Sequence, residues 1–401
     1  MNVVMIPFHD VKKWQTEGYR TRDAHVCQHL DSLRSVDKIL VINRPVSLAE
    51  RVLRKENWTA DGTLVASRRG ARISRIFGNT YCLDIHLSDF LKVARQRKAW
   101  WFTAFQYSKV HELINWAINT LDMESNILLV QNPMAVRAVP EIEHTHFAFD
   151  AIDNWLYHPQ MLDKDIIRSN YRFVDTNSDL ILTVSQALLE LFPTNLNAHC
   201  IPNGVDVQYF AAARKTSAKN SEKTENVIQI GYVGKIQDRV DFDLVEQCLR
   251  SYPRARFVFI GPVFSQQKRI KELKAKYSNI EFTGDVHYNQ LPERLHDIDI
   301  AIIPHRVDSF TQSMNPLKLY EYLAAGKLVV STGVAGVSGV SPYVSIGDSN
   351  EEFIRQLGVA METISSKDAP NPESIASSIP ETCTWDARVK DIMRLFAALD
   401  L

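Results

Sequence analysis

The sequence predicts an α/β protein made of two Rossmann-like, doubly wound domains. Short apolar runs alternate with amphipathic stretches of helical period along the chain. The 401 residues are enough for two or three domains of ordinary size. A composition of 45% hydrophobic and 23% charged residues belongs to a globular chain with full-sized cores, and excludes a disordered or collagen-like one.

In the first half, strands are expected at Val3–Ile6, Ile39–Ile42, Ile127–Gln131, Thr145–Ala151 and Leu180–Val184. Helices are expected at Asp23–Leu33 and His111–Asn119. The second half repeats the pattern, with strands at Val227–Val233, Phe257–Ile260, Ile280–Phe282, Ile298–Ile303 and Leu328–Ser331. Its helices are expected at Phe242–Arg250, Lys268–Tyr277 and Pro316–Ala325. The start, MNVVMIPFHD, lacks a basic segment before a long apolar run, so it reads as a first buried strand and not a secretory signal. Pro and Gly punctuate IPNGVD at Ile201–Asp206, which marks the joint. Ala211–Glu225, AAARKTSAKNSEKTE, has no aromatic or large aliphatic residue and is expected as an exposed loop. The last helix, Thr384–Leu399, places Trp385, Val389, Ile392, Phe396 and Leu399 on one face. One option for that face is a return to the first domain. The expected division is 1–201, 202–383 and a terminal helix over 384–401.

Composition narrows the function classes. Lys+Arg 46 against Asp+Glu 47 leaves a net charge of −1, which makes no global case for nucleic acid. No stretch approaches the ~18 consecutive apolar residues of a membrane span. Cys27, Cys82, Cys200, Cys248 and Cys383 are scattered, in neither a disulfide framework nor a zinc spacing, which fits a reducing cytoplasm. Phosphate-loop, dinucleotide, nucleophile-elbow and H-E-x-x-H motifs are missing from the sequence. His144 and His146 alternate on an expected strand, and nothing points to a metal or a cofactor. Charge is uneven, however: residues 51–110 hold 12 Lys/Arg and 4 acids, a local excess of +8. Within them Lys92–Phe102, KVARQRKAWWF, suits a helix lying on anionic lipid. The alternatives are that Trp100 and Trp101 belong to the core, with the basic residues solvated or binding an anionic acceptor.

Ligands of open α/β sheets bind outside the carboxyl ends of the strands, so the residues after each strand are the candidates. In SMNPLKLYEYLAAG, Ser313–Gly326, Asn315 suits an N-cap, Pro316 the first helical position and Gly326 the position past the helix end. That helix start favours a phosphate. Lys318 could touch it and Glu321, on the same face, could accept from ribose hydroxyls. An i,i+3 salt bridge on a surface helix is the alternative. In GYVGKIQDRVD, Gly231–Asp241, Gly234 permits close backbone approach, and Lys235 and Arg239 could neutralise a diphosphate. An ordinary glycine turn is the alternative. In FAFDAIDNW, Asp150 and Asp153 fall at or after a strand end. Asp153 could be a general base, or a turn cap. The loop His9–Arg22 carries Trp14, Gly18, Arg20 and Arg22 at a helix start, and could hold an anion or acceptor. Solvated arginines are the alternative there.

Taken in order, SDLILTVSQALLE, IPNGVDVQYF, GYVGKIQDRVD, FTGDVHYNQLPERLHDIDIAIIP, NPLKLYEYLAAGKLVVST and TWDAR resemble the GT-B-fold glycosyltransferases, family 4 above all. The match is dense from Ser178 onward and thinner before it. It is most similar to transferases of cell-surface polysaccharide assembly, such as the teichuronic-acid type. The resemblance implies two domains facing a cleft and a last helix crossing back to the first. It implies a nucleotide-sugar donor, commonly UDP-linked, in the second domain. Glu321 would sit on the ribose, Asn315–Lys318 on the diphosphate, and Val286 and His287 on the base. The acceptor, a saccharide or lipid-linked saccharide, would lie in the first domain near Gly18, and catalysis would need no metal. Ser313 stands where the family carries a first glutamate on the donor sugar, so sugar identity and stereochemical outcome are left open. The stretch around Asp153, with Lys318–Tyr322, also resembles an inverting glucuronosyltransferase family whose matching Asp is the base. The expected activity is therefore a hexosyl transfer in the cytoplasm, with a peripheral place on the inner membrane face as an option. A sugar-nucleotide epimerase, a phosphorylase or a non-catalytic sugar-binding relative are the alternatives.

Overall fold

The computed structural model describes residues 1–47, 50, 58–88, 103–158, 161, 163–217 and 227–399. The proposed lipid-facing stretch Lys92–Phe102 lies outside them. The chain forms two compact units, residues 1–201 with 389–401, and residues 202–388.

The first unit is a mixed sheet. Its strands are β1 (Asn2–Ile6), β2 (Lys38–Ile42), β3 (Val46–Ser47), β4 (Thr63–Arg68), β5 (Ala71–Phe77), β6 (Thr80–Leu87), β7 (Asn126–Val130), β8 (His146–Ala151), β9 (Leu180–Thr183) and β10 (Ala198–Cys200). The order is β10-β9-β8-β7-β1-β2-β6-β5-β4, with β3 beside β6. The β4–β5 and β5–β6 pairs are antiparallel, and the rest are parallel. The helices are α1 (Val11–Glu17), α2 (Arg22–Asp31), α3 (Ser108–Thr120), α4 (Lys164–Asn177) and α5 (Gln186–Leu189). The strand order reverses between β1 and β7, which makes their carboxyl ends the switch point of this sheet. The central strands are apolar on both faces, as parallel strands covered by helices must be.

The antiparallel run β4–β6 was not expected. Its strands alternate polar and apolar residues, and the turns at Gly70 (φ 87°) and Gly78 (φ 42°) close the hairpins. Those glycines were the available signal, hidden inside the basic stretch. The β8 strand begins at His146, so His144 does not alternate with it on a strand. The His144 ring meets the Ile142 carbonyl oxygen instead, at 2.6 Å.

The second unit contains α6 (Val207–Ser217), β11 (Gln229–Val233), α7 (Phe242–Ser251), β12 (Arg256–Ile260), α8 (Gln267–Lys276), β13 (Ile280–Gly284), α9 (Leu291–His296) and β14 (Ile300–Ile303). It continues through α10 (Leu317–Ala324), β15 (Leu328–Thr332), β16 (Val344–Gly347), α11 (Asn350–Ser365), α12 (Pro372–Ser377) and the start of α13 (Trp385–Ala397). The order β13-β12-β11-β14-β15-β16 is wholly parallel, the dinucleotide-type order with its switch point between β11 and β14. The expected loop over Ala211–Glu225 is corrected as far as Ser217, which is helical. Alanine is a good helix former, and buried Phe210 anchors the helix. On α13, Trp385, Val389, Ile392 and Phe396 are buried, and residues from Val389 onward belong to the first unit.

Candidate functional site

At the carboxyl edge of the second sheet, three glycines stand side by side. Gly234, Gly261 and Gly284 end or follow β11, β12 and β13 with φ of 128°, 144° and 82°. The Gly234 amide donates to the Ile260 carbonyl at 2.9 Å, and the Gly261 amide to the Gly284 carbonyl at 2.8 Å. A Cβ on Gly261 would stand 2.1 Å from the Gly234 carbonyl oxygen, so no side chain fits there. The row forms a low floor that a flat ligand can approach at backbone distance. Only Gly234 was singled out from sequence. Gly261 and Gly284 each close an apolar run, which was the signal for them.

Helix α10 rises beside this floor. The Tyr322 hydroxyl accepts from the Val233 amide at 2.7 Å, pinning the helix to the end of β11. The helix starts at Leu317 with Pro316 as N-cap, so Asn315 is not the cap expected from sequence. Asn315 instead bonds Asn203: its Oδ1 accepts from the Asn203 amide at 2.9 Å and its carbonyl from Asn203 Nδ2 at 2.6 Å. Proline at the cap leaves Asn315 too far back to reach the first turn. Gly326 takes φ 74° past the helix end, where its amide reaches the Leu323 carbonyl at 2.8 Å.

Lys318 points at the strand ends. Its Nζ donates to the Tyr232 hydroxyl at 2.7 Å, stands 3.4 Å from His305 Nε2 and sits 3.9 Å from the centre of the Tyr232 ring. These neighbours are neutral. Burial and the Arg239 guanidinium hold the Lys318 ammonium well below the ordinary lysine value, with the Glu321 charge opposing. Burial, Lys318 and Arg239 likewise push His305 well below the ordinary histidine value, and His305 Nδ1 has no hydrogen-bond partner. Burial raises the Tyr232 hydroxyl to about 12, with Arg239 opposing. Glu321 is buried near two tyrosines, Tyr209 and Tyr288, whose rings stack at 5.4 Å. Burial and then the Glu321 charge lift both phenols, Tyr209 to about 12. Neither His305 nor these tyrosines was anticipated. His305 follows β14 closely, so the strand-end rule would have found it, whereas Tyr209 lies far off in sequence.

The remaining expected donor residues lie on this same edge. Lys235 follows Gly234, with Nζ 5.7 Å from the centre of the exposed Phe264 ring. Arg239 Nη1 approaches Met314 Sδ at 3.9 Å. Val286 and His287 follow β13, and the His287 ring meets Asn289 Oδ1 at 2.7 Å. The Ser313 hydroxyl is turned into its own turn, donating to the Ser309 and Phe310 carbonyls at 3.0 and 2.9 Å.

The first-unit candidates fall into different surroundings. Trp14 is 1% exposed and belongs to the core, so it does not present a ring to an acceptor. Arg22 is buried, with Nε and Nη2 on the Asp150 carboxylate at 2.9 to 3.2 Å, and is not a solvated arginine. Gln131 Nε2 donates to the same carboxylate at 2.9 Å. Arg20 pairs with Glu17 at 3.0 Å, and Gly18 ends α1 in the left-handed region at φ 85°. Asp153 is half-buried just beyond β8, and its carbonyl accepts from the Tyr171 hydroxyl at 3.2 Å.

A cavity of about 860 Å³ lies at the amino ends of β14 and β15, lined by Val207, Ile298, Leu328 and Pro372 among others. It is on the opposite edge of the sheet from Lys318, and the chemistry-bearing residues are not among its lining. Among the described residues no group of three or more His, Cys, Asp or Glu side chains could hold a metal ion. No helix among them is long and apolar enough to cross a membrane.

Residues 227–361 match the family model Glycosyl transferases group 1, which covers the glycine row and α10. The chain has the GT-B fold. This GT-B chain is similar to a sucrose-phosphate synthase from Thermosynechococcus elongatus (TM-score 0.71, 12% identity, 100% of this chain and 99% of that one). It is also similar to Anabaena HepE solved in complex with UDP (TM-score 0.63, 12% identity, 99% and 100%) and with UDP-glucose (TM-score 0.64, 13% identity, 99% and 100%). Among curated proteins it is 25% identical over 197 residues to the teichuronic acid biosynthesis glycosyltransferase TuaH of Bacillus subtilis (strain 168), covering 49% of this chain and 50% of TuaH. The GT-B chain thus spans about half the length of that relative in the match.

Proposed function

We propose that the protein transfers a sugar from a nucleotide diphosphate sugar, UDP-linked, to a saccharide or lipid-linked acceptor of a cell-surface polysaccharide. The observation that carries this is α10. One helix brings Lys318 and Glu321 to the carboxyl edge of a dinucleotide-type sheet, beside a floor of glycines. In this reading Glu321 accepts from the ribose hydroxyls. The backbone at Val286 and His287 meets the base. Lys235, Arg239 and Lys318, with Asn315 and the start of α10 at Leu317, offset the charge that builds on the diphosphate as it leaves. Those cations take the place a metal ion would fill, so transfer persists in a chelator. The HepE complexes with UDP and UDP-glucose, and the polysaccharide role in the name of TuaH, favour this donor and this product class.

A thermal-shift panel of nucleotide sugars tests the donor, because a bound ligand stabilises the native state by mass action. UDP-sugars are expected to raise the melting temperature, and a panel without any shift overturns the reading. Glu321→Ala is expected to weaken UDP-sugar binding about tenfold to a hundredfold, while binding of inorganic diphosphate, which has no ribose, is unchanged. For Lys92–Phe102 the companion proposal is a peripheral, salt-sensitive contact with anionic vesicles on the cytoplasmic membrane face. Flotation of the full chain with and without phosphatidylglycerol checks it.

A further inference from the structure

Beside the glycine floor of the second sheet, two basic nitrogens face each other. Lys318 Nζ stands 3.4 Å from His305 Nε2, and the Tyr232 hydroxyl lies within reach of both, at 2.7 Å from Nζ and 3.3 Å from Nε2. The Tyr232 hydroxyl donates its own proton to the Lys235 carbonyl at 3.1 Å. The proton between Nζ and Nε2 must then come from one of those two nitrogens. A Cβ on Gly234 would stand 3.0 Å from Nζ, so the lysine nitrogen rests directly on the floor, within reach of a ligand lying there. The His305 ring is placed in the opposite way: it is 1% exposed, and its Nδ1 has no hydrogen-bond partner.

Two arrangements satisfy the contact. In one, Lys318 is an ammonium that donates to Nε2, which places the His305 ring proton on Nδ1 as a buried N–H without an acceptor. In the other, Lys318 is an amine that donates to Tyr232 and accepts from Nε2–H, and Nδ1 carries only a lone pair. The charged and titratable groups facing Nζ decide between them. They are Tyr232 on β11, Arg239 between β11 and α7, His305 after β14, and Glu321 on α10 itself. Burial and then Arg239 oppose a charge on Lys318, with Glu321 favouring it, and burial, Lys318 and Arg239 oppose one on His305. The amine is therefore favoured, because it avoids both a buried, unmatched charge and a buried, bare N–H. A diphosphate on the floor supplies negative charge to Nζ and reverses the preference.

We propose that His305 is a positioning residue of the donor site that holds Lys318 as an amine, through Nε2–H, until a diphosphate binds and Lys318 takes up one proton. The inference rests on the donor reading above. The proton passes from solvent to Nζ. The imidazole stays neutral and only exchanges its own proton from Nε2 to Nδ1, so that Nε2 accepts from the new ammonium. Tyr232 keeps its proton throughout, its hydroxyl being raised to about 12 by burial. Donor binding is then coupled to proton uptake. Lys318 holds its proton more tightly with the donor bound than without it. Affinity is therefore full below the Lys318 value of the free protein and falls above it, by up to about tenfold per pH unit.

The test is calorimetry of the full chain with the UDP-sugar that gives the largest thermal shift, in phosphate and in Tris, whose heats of ionisation differ. The diphosphate of such a sugar keeps both charges between about pH 6 and 8.5, so proton uptake belongs to the protein. Uptake approaching about one proton per ligand at the upper end is expected, with affinity falling as pH rises. Lys318→Met is expected to bind more weakly and without uptake. His305→Gln offers Nζ an amide oxygen, which accepts from an ammonium without leaving a bare ring N–H. Its uptake is expected to begin at a higher pH than in the parent, a change that a merely structural histidine would not cause. Long-range proton–nitrogen NMR at about pH 8 gives a readout without variants: the His305 ring proton is expected on Nε2 in the free protein and on Nδ1 with the ligand. Binding without uptake, uptake that persists in Lys318→Met, an onset unchanged in His305→Gln, or a ring proton on Nδ1 before ligand is added overturns the proposal and leaves the donor reading standing. A parent that binds no UDP-sugar overturns the donor reading, and this proposal with it.

Discussion

Arg22 and Lys318 are both cations drawn in behind the carboxyl ends of parallel strands, one in each unit, and they are held in opposite ways. Arg22 meets a carboxylate with two of its nitrogens, and Gln131 fills a further site on Asp150. Lys318 meets a phenol and an imidazole, both neutral, with a second cation nearby. The first arrangement is complete in itself: the charge is matched and the geometry fixed. The second lacks a matched negative charge at hydrogen-bond distance, so an incoming anion gains most there. The difference separates a cation whose charge is matched within the fold from one that, in the proposed function, receives a phosphate.

The largest way to break the comparison is Arg22→Met, which leaves Asp150 buried and unpaired. A loss of about 3–5 kcal/mol in urea unfolding is expected, with much of it recovered by adding Asp150→Leu. Lys318→Met should do the reverse to the fold. It removes a charge held at a cost, so the melting temperature is expected to rise while UDP affinity, read by calorimetry, falls about tenfold to a hundredfold, the range of a charged hydrogen bond.

The pH dependence sharpens the second case. A lysine whose folded pKa is depressed binds fewer protons in the folded than in the unfolded chain. Its penalty is therefore full below the folded value and fades as pH rises to the ordinary 10.5. The stability advantage of Lys318→Met is expected to shrink towards pH 10, as followed by unfolding midpoints across pH. An advantage that is constant with pH would mean that the lysine is not destabilised by its charge. The smallest effect is expected from Tyr232→Phe, which removes one hydroxyl next to Lys318. About 1 kcal/mol of stability and a severalfold change in UDP affinity are expected by the same measurements.

The strand-end rule located both edges from sequence, because parallel strands buried on two faces read as plain apolar runs. Val3–Ile6, Ile127–Gln131 and Leu328–Ser331 overlap the observed strands closely. The β4–β6 meander was missed because its strands alternate and carry arginines, so that its charge drew more notice than its glycine turns. Asn315 shows the limit of local capping rules. Its residue type suits an N-cap, yet the side chain is taken by Asn203, more than a hundred positions away.

What the sequence determined by itself was periodicity and punctuation: the parallel strands of two sheets and a polar helix start after the β14 segment. These are properties of neighbours along the chain, set by side-chain spacing and by residues that restrict the backbone. What only the tertiary structure decided was partnership. Arg22 with Asp150 and Lys318 with Tyr232 join residues 128 and 86 positions apart, and even the nearer pairs, Lys318 with His305 and His9 with Asp23, are 13 and 14 positions apart. A charged residue has the same spelling whether it is solvated, neutralised or waiting for a ligand. Its role follows from burial and from the sign of the groups within a few ångströms, which depend on how the strands are ordered in the sheet.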